Sequence, residues 1–196
     1  NPDNTKFVSP CKKGDCGTEN LNRILQNIFN SQGTLIDTQF NKYCLGDHIM
    51  RTKNSYSESE CFANGDIAII KDIRYNDNDI VDKIVIEYIK KEDKIESEIT
   101  PVELSQDFEL AYCLSIHKTQ GLGFENIVVI MDKHPSHKFM WLKDDSKKLL
   151  YTAISRGKKR CFLFYEKEIL LKVLKKKIEP DCNSIFMKEF RSFEIQ

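Results

Sequence analysis

The sequence predicts an α/β fold: a parallel sheet with helices on both faces, interrupted by a small antiparallel β module. Three observations predict it. Toward both ends of the 196-residue chain, strand-like apolar runs alternate with apolar residues at helical spacing. The middle, residues 46–105, holds short β-branched runs separated by tight turns. Composition is that of an ordinary folded protein, 40% hydrophobic and 31% charged, so a real core is expected.

Taken in order, Lys6-Phe7-Val8-Ser9 reads as a short buried strand stopped by Pro10. Residues 11–17 form a polar loop with two glycines. Leu21, Ile24, Leu25 and Ile28 fall at i, i+3, i+4 and i+7, one apolar face of a helix over 18–29, with Thr18 as its N-cap. Residues 30–44 read as irregular. In the middle module, Ile49-Met50 and the runs 67–73, 80–89 and 95–99 read as strands. Asn64-Gly65-Asp66 and Asn76-Asp77-Asn78-Asp79 punctuate them as turns. Residues 108–113 start the returning α/β part, with a short helix or turn through Lys118. Ile127-Val128-Val129-Ile130-Met131 is the continuous apolar run of a parallel strand buried on both faces. Residues 146–157 suit a helix with Leu149, Leu150 and Ala153 on one face, ended by Gly157 as a C-cap. Residues 161–165 read as another buried strand, and 166–176 as a basic amphipathic helix carrying Ile169, Leu170, Val173 and Leu174. The domain reading is an α/β domain over 1–45 and 106–178, the module at 46–105, and a tail at 179–196.

Formal net charge is zero, but it is unevenly spread. Residues 57–109 carry fifteen Asp/Glu against six Lys/Arg, a net of −9, whereas 138–177 carry thirteen Lys/Arg against four Asp/Glu, a net of +9. This fits two solvated faces of opposite sign and equally a polyanion meeting the second segment. The seven cysteines are odd in number and include no CxxC pair, which argues against a zinc site and suits a reducing, cytoplasmic compartment. Cys113 and Cys161 lie in apolar runs and are expected as buried thiols. No apolar run approaches the ~20 residues that span a bilayer, so no membrane association is expected. The chain does not begin with Met and enters a strand at once, which suggests a piece of a longer protein.

Two segments carry chemistry. Ser115-Ile116-His117-Lys118-Thr119-Gln120-Gly121 lies between two strands. Ligands of open α/β sheets bind beyond the C-terminal strand ends, and hydroxyls, a Lys and exposed backbone N–H groups are ordinary partners of phosphate oxygens. A polar loop with a turn glycine explains the same residues without a ligand. The second segment is Leu149-Leu150-Tyr151-Thr152-Ala153-Ile154-Ser155-Arg156-Gly157-Lys158-Lys159-Arg160. Cations at a helix end suit the helix dipole. An Arg there can also reach a phosphoryl group held between two domains and stabilise its developing charge.

In this order the two segments resemble motifs V and VI of superfamily 1 helicases. IHKTQG, ENIVVIM and LLYTAISRGKKRCFLF look like the second RecA-like domain of RecD-type DNA helicases. FVSPCKKGDCGTENLNRILQNIFN is similar to the motif IV region, and GDHIMRTKNSY with FANGDIAII resembles the SH3-like insert of that group. The resemblance covers about residues 5–165. It implies a RecA-like parallel sheet interrupted by an SH3-like module, in a motor that steps along single-stranded DNA, 5′ to 3′, in repair or recombination. Arg156 would be the arginine finger on the γ-phosphate of ATP. Gln120 and Gly121 would line the same cleft, with Lys12 or Lys13 as a second cation. Ser115, His117, Lys118 and Thr119 would face single-stranded nucleic acid or couple it to the cleft. Asn64, Gly65 and Asp66 would be a structural turn. The chain contains no GxxxxGK[ST] loop, so ATP and Mg²⁺ would be held mainly by the first RecA-like domain of the same protein. The chain also departs from many relatives at the second position after Gly121, where Gly123 replaces an acid. A viral RNA helicase, a relaxase-linked helicase and a stand-alone nucleic-acid-binding module give the same residues in this window.

Overall fold

The computed structural model describes residues 2–37, 42–57, 60–89 and 94–176. The tail expected at 179–196 lies outside the described residues. In chain order the described residues form β1 (Thr5–Ser9), α1 (Thr18–Phe29), β2 (Leu35–Asp37), β3 (Lys42–Cys44), β4 (His48–Arg51), β5 (Ser55–Ser57) and β6 (Glu60–Phe62). There follow β7 (Ile67–Tyr75), β8 (Val81–Ile89), β9 (Lys94–Ile99), α2 (Pro101–Asp107), β10 (Phe108–Leu110) and β11 (Cys113–Ser115). A 3-10 turn (Ile116–Thr119), β12 (Phe124–Met131), α3 (Pro135–Leu142), α4 (Ser146–Ile154), β13 (Gly157–Tyr165) and α5 (Lys167–Lys175) complete the order.

Four strands form a parallel sheet in the order β11-β1-β12-β13. Alternation of side chains along β1 sends Phe7 to one face, where it packs with Leu21 and Leu25 of α1. Val8 points to the other, with Ile127, Val129 and Met131 of β12 against Trp141, Leu149, Leu150, Ile169 and Val173 of α3, α4 and α5. Helices therefore cover both faces, as expected for parallel strands. A separate antiparallel sheet runs β10-β4-β7-β8-β9 around its own core of Ile49, Ile70, Ile84, Ile86, Tyr88 and Leu104.

Several local expectations are corrected. Residues 30–44 are not simply irregular, because β2 and β3 pair as a hairpin. The strand at 108–110 pairs antiparallel with β4, so that sheet runs past residue 105, and only Cys113–Ser115 joins the parallel sheet. The N-cap of α1 is Gly17, with Thr18 already helical and no side-chain cap. Its buried face is also turned from the predicted one: Thr18, Asn22, Leu25 and Gln26 face inward, while Ile24 and Ile28 are 44% and 65% exposed. The cause is polar. Asn22 Nδ2 donates to Cys113 O at 2.9 Å, and its Oδ1 accepts from Cys113 N at 2.8 Å. Gln26 Nε2 donates to the buried carboxylate of Asp47 at 2.5 Å, where Asn30, Tyr112 and the Cys44 N–H also donate. Buried backbone groups and a buried carboxylate need these partners more than two isoleucines need cover. Gly157 is not a C-cap. It opens β13, where a Cβ would stand 2.9 Å from Ile127 Cγ2. Cys113 is buried as expected, but Cys161 is exposed.

Candidate functional site

The segment Ser115–Gly123 leaves the C-terminal end of β11 and must reach the N-terminal end of β12, which runs parallel to it through β1. It therefore crosses the sheet, and its two ends serve different edges. At the first end, the 3-10 turn exposes His117, while Ser115 and Lys118 are half-buried. Lys118 Nζ donates to Glu109 Oε1 at 2.5 Å, and Lys12 Nζ lies 3.7 Å from Glu109 Oε2. These residues line a groove of about 660 Å³ with Thr18, Glu19, Asn22 and Arg23 of α1 and Thr52. Thr119 is fully buried and its hydroxyl donates to Ile116 O at 2.7 Å. It braces the turn and does not face a strand, which leaves it only the coupling half of the expected role.

At the second end, Gln120 and Gly121 are exposed, and Gly121 takes φ +80°, a left-handed conformation that glycine adopts without strain. Arg156 stands here as well. It follows α4 and immediately precedes β13, whose Gly157 pairs with Phe124 at the start of β12. Its Nη1 donates to Leu122 O at 3.2 Å, Nε to Thr152 O at 3.2 Å and Nη2 to Ser155 Oγ at 2.9 Å. Phe124 N donates back to Arg156 O at 2.8 Å. The guanidinium is thus half-buried, aimed along the tail of the SIHKTQG segment and kept in a fixed plane.

The bond to Leu122 O therefore brings Arg156 to the residue after Gly121. Lys12 and Lys13 lie elsewhere. They follow the C-terminal end of β1, level with Ile130 of β12, whereas Arg156 precedes Gly157, level with Phe124, an offset of about 20 Å at ~3.3 Å per residue. Lys13 is exposed in that loop, and Lys12 belongs to the groove with Lys118. Asn64-Gly65-Asp66 is a turn as expected, with Gly65 at φ +99° and its N–H on Arg51 O at 2.9 Å. Gly65 and Asp66 also line a second cavity, of about 590 Å³, with Gly121, Gly123 and Lys158. The Lys158 side chain lies over Gly123, its Cε 2.8 Å from where a Cβ would stand, and it can swing aside from a larger residue there.

Sequence reasoning missed Glu109, Arg23 and a chain of three polar groups in this second cavity, in which buried Lys6 and His48 lead out to exposed Asp3. Lys6 Nζ lies 3.0 Å from His48 Nδ1, and His48 Nε2 lies 3.0 Å from Asp3 Oδ1. Burial pulls the Lys6 ammonium down to about 8, against the pull of Asp3. Burial, with the charge of Lys6, pulls His48 down to about 4. A neutral His48 accepting from Lys6 and donating to Asp3 satisfies all three and ties β1 to β4. Only Lys6, a charge inside an apolar strand run, signalled it. Among the described residues no group of three or more His, Cys, Asp or Glu side chains is placed to hold a metal ion. No helix among them is long and apolar enough to cross a membrane.

Residues 110–164 match the family model of the UvrD-like helicase C-terminal domain. The RecBCD enzyme subunit RecD of Buchnera aphidicola is 29% identical over 181 residues, 88% of this chain and 27% of that protein. The ATP-dependent RecD2 DNA helicase of Deinococcus radiodurans is 27% identical over 161 residues, 82% of this chain and 20% of that protein. The chain thus spans about a quarter of the length of these relatives. The Pif1 helicase from Candida albicans superposes over 97% of this chain and 50% of its own, with a TM-score of 0.56 at 13% identity, a likeness of fold. In sequence the chain is thus similar to a UvrD-like helicase C-terminal domain and to RecD-type helicases, and in fold to a Pif1 helicase.

Proposed function

We propose that this domain supplies the arginine side of an ATP cleft and one wall of a single-strand groove in a longer ATP-dependent DNA helicase. The observation that carries the reading is the hydrogen bond from Arg156 to Leu122 O, on a segment whose Lys118 lines a groove with Lys12 and Arg23. A guanidinium already oriented by three hydrogen bonds adds charge to a transferring phosphoryl group without first having to be ordered. ATP itself, with Mg²⁺, is held mainly by a first RecA-like domain, and closure of the two domains brings Arg156 to the γ-phosphate. The groove takes the sugar–phosphate backbone of single-stranded DNA through cations and hydroxyls. The antiparallel sheet around Ile70 and Ile86 is, in this reading, the SH3-like insert, and translocation runs 5′ to 3′.

The test is ATP turnover and unwinding by the full-length protein on duplexes with a single-stranded tail. The expected result is strand-stimulated turnover and unwinding only from a 5′ tail. Turnover that ignores single strands, or unwinding from a 3′ tail, removes the groove or the polarity respectively.

A further inference from the structure

Glu109 lines the groove and pairs with two of its cations. It sits on β10, in the antiparallel sheet, yet its two carboxylate oxygens reach Lys118 of the 3-10 turn and Lys12 of the loop after β1. Its side chain and that of Lys118 are about a third and a quarter exposed, at 32% and 25%, so the pair is half-shielded from water. Three cations, Lys12, Arg23 and Lys118, share the groove with two carboxylates, Glu19 and Glu109. Glu19 lies in the first turn of α1, where an acid suits the helix dipole. Glu109 has no such local reason. It carries a charge into a strand, where a neutral residue would pair equally well with Met50. A carboxylate bridging two lysines is the arrangement a phosphate oxygen pair would make with them.

We propose that Glu109 is a built-in stand-in for a strand phosphate. With no nucleic acid bound, it keeps Lys12 and Lys118 positioned and offsets half of their charge. A strand enters by exchanging one of its phosphates for the Glu109 carboxylate, which then turns to water. The inference rests on the reading of this groove as the single-strand site, and it adds that the antiparallel sheet sets the groove's affinity. Glu109 lowers affinity for any single strand and makes binding selective for polyanions that place several phosphates at once.

The experiment is equilibrium binding of a fluorescent oligothymidylate to the full-length protein, across a salt series, for wild type, Glu109→Gln, Glu19→Gln, Lys118→Ala and Glu109→Gln with Lys118→Ala. Glu109→Gln keeps shape and removes charge. It is expected to bind roughly fivefold tighter at low salt, the scale of a half-exposed ion pair. The salt dependence steepens, by up to the ~0.7 log unit per decade that each single-strand phosphate contact contributes. Glu19→Gln gives a smaller gain. In the Lys118→Ala background, the gain from Glu109→Gln shrinks, because the lysine it restrained is gone. If wild type binds strands and Glu109→Gln binds no tighter, Glu109 is not a stand-in and the groove reading survives. If Lys118→Ala also leaves binding unchanged, the groove is not the strand site and both fall. Thermal melting of Glu109→Gln within a degree or two of wild type separates these outcomes from a folding defect.

Discussion

Replacing Arg156 by alanine removes a guanidinium that makes three hydrogen bonds inside its own domain, to Leu122 O, Thr152 O and Ser155 Oγ. The loss has two sizes that can be told apart. Because Arg156 is only half-buried, water can take over much of what its partners lose. Three such bonds then amount to about 1–2 kcal/mol of stability in total. Against a typical ~5–15 kcal/mol, that leaves roughly 99% or more of the protein folded. Unfolding therefore removes at most a few per cent of activity. An arginine finger is worth about 10³-fold or more in turnover, or roughly 4 kcal/mol of barrier. The assay is steady-state phosphate release by the full-length protein at saturating ATP and oligonucleotide, for wild type, Arg156→Ala and Arg156→Lys, with a melting curve for each. Arg156→Ala is expected to fall about 10³-fold, with strand affinity within about threefold of wild type. Arg156→Lys also falls far, since an ammonium cannot hold the Leu122 carbonyl and present a planar fork to phosphate together. Turnover within tenfold of wild type in Arg156→Ala refutes the role. So does a loss that disappears once the folded fraction is corrected for.

Three further outcomes follow from the same geometry. The folded His48 is held near 4 against an ordinary 6.5, so between those values the unfolded chain binds a proton that the folded one refuses. Its share of stability is therefore complete above pH 6.5 and is lost as pH falls toward 4, by up to about 2 kcal/mol between pH 6.5 and 5. Denaturant unfolding of His48→Gln should show a flatter pH profile in that window, and equal slopes for the two proteins would dismiss His48 as the titrating group. Asn22→Ala orphans both the N–H and the C=O of buried Cys113, at a cost of about 3 kcal/mol. A shift below ~1 kcal/mol in unfolding free energy would mean that water reaches them. Thr119→Val keeps volume but removes the hydroxyl bond to Ile116 O, and should cost about 1 kcal/mol. It should cut the stimulation of ATP turnover by single strands more than basal turnover, and an equal loss in both would confine Thr119 to packing.

The strands and most helices were legible because their signals are local. Alternation and β-branched runs marked β1, β7, β8, β12 and β13 to within a few residues. Asn76 shows why the turns were legible too: its side chain accepts from Asn78 N at 2.9 Å and Ile80 N at 3.1 Å. Helix α2 had a signal that went unread, the capping box of Thr100 with Glu103 around Pro101. The face of α1 was not legible, because the burial of Asn22 and Gln26 depends on Cys113 and Asp47, which are distant in sequence. The same holds for the site. The residues of SIHKTQG and Arg156 were read from their types and order, whereas Glu109 has no motif. It becomes visible only when β10 is seen to pair with β4 and so to place a carboxylate between two lysines of another sheet.

What joins the groove to Arg156 is a short run of covalent and hydrogen-bonded contacts rather than a long path. Lys118 is followed by Thr119, whose hydroxyl closes the 3-10 turn on Ile116 O and whose carbonyl accepts from Leu122 N at 3.0 Å. The carbonyl of Leu122 in turn accepts from Arg156 Nη1. Thr119 and Ile116 are fully buried, the latter with Ala153, Leu149 and Leu150 of α4, the helix that ends in Ser155-Arg156. A 3-10 turn braced on one side by packing and on the other by two hydrogen bonds cannot shift at Lys118 while leaving Leu122 in place. In the proposed reading, this braced run is the route by which an event among strand phosphates would be felt at a phosphoryl group beside Arg156.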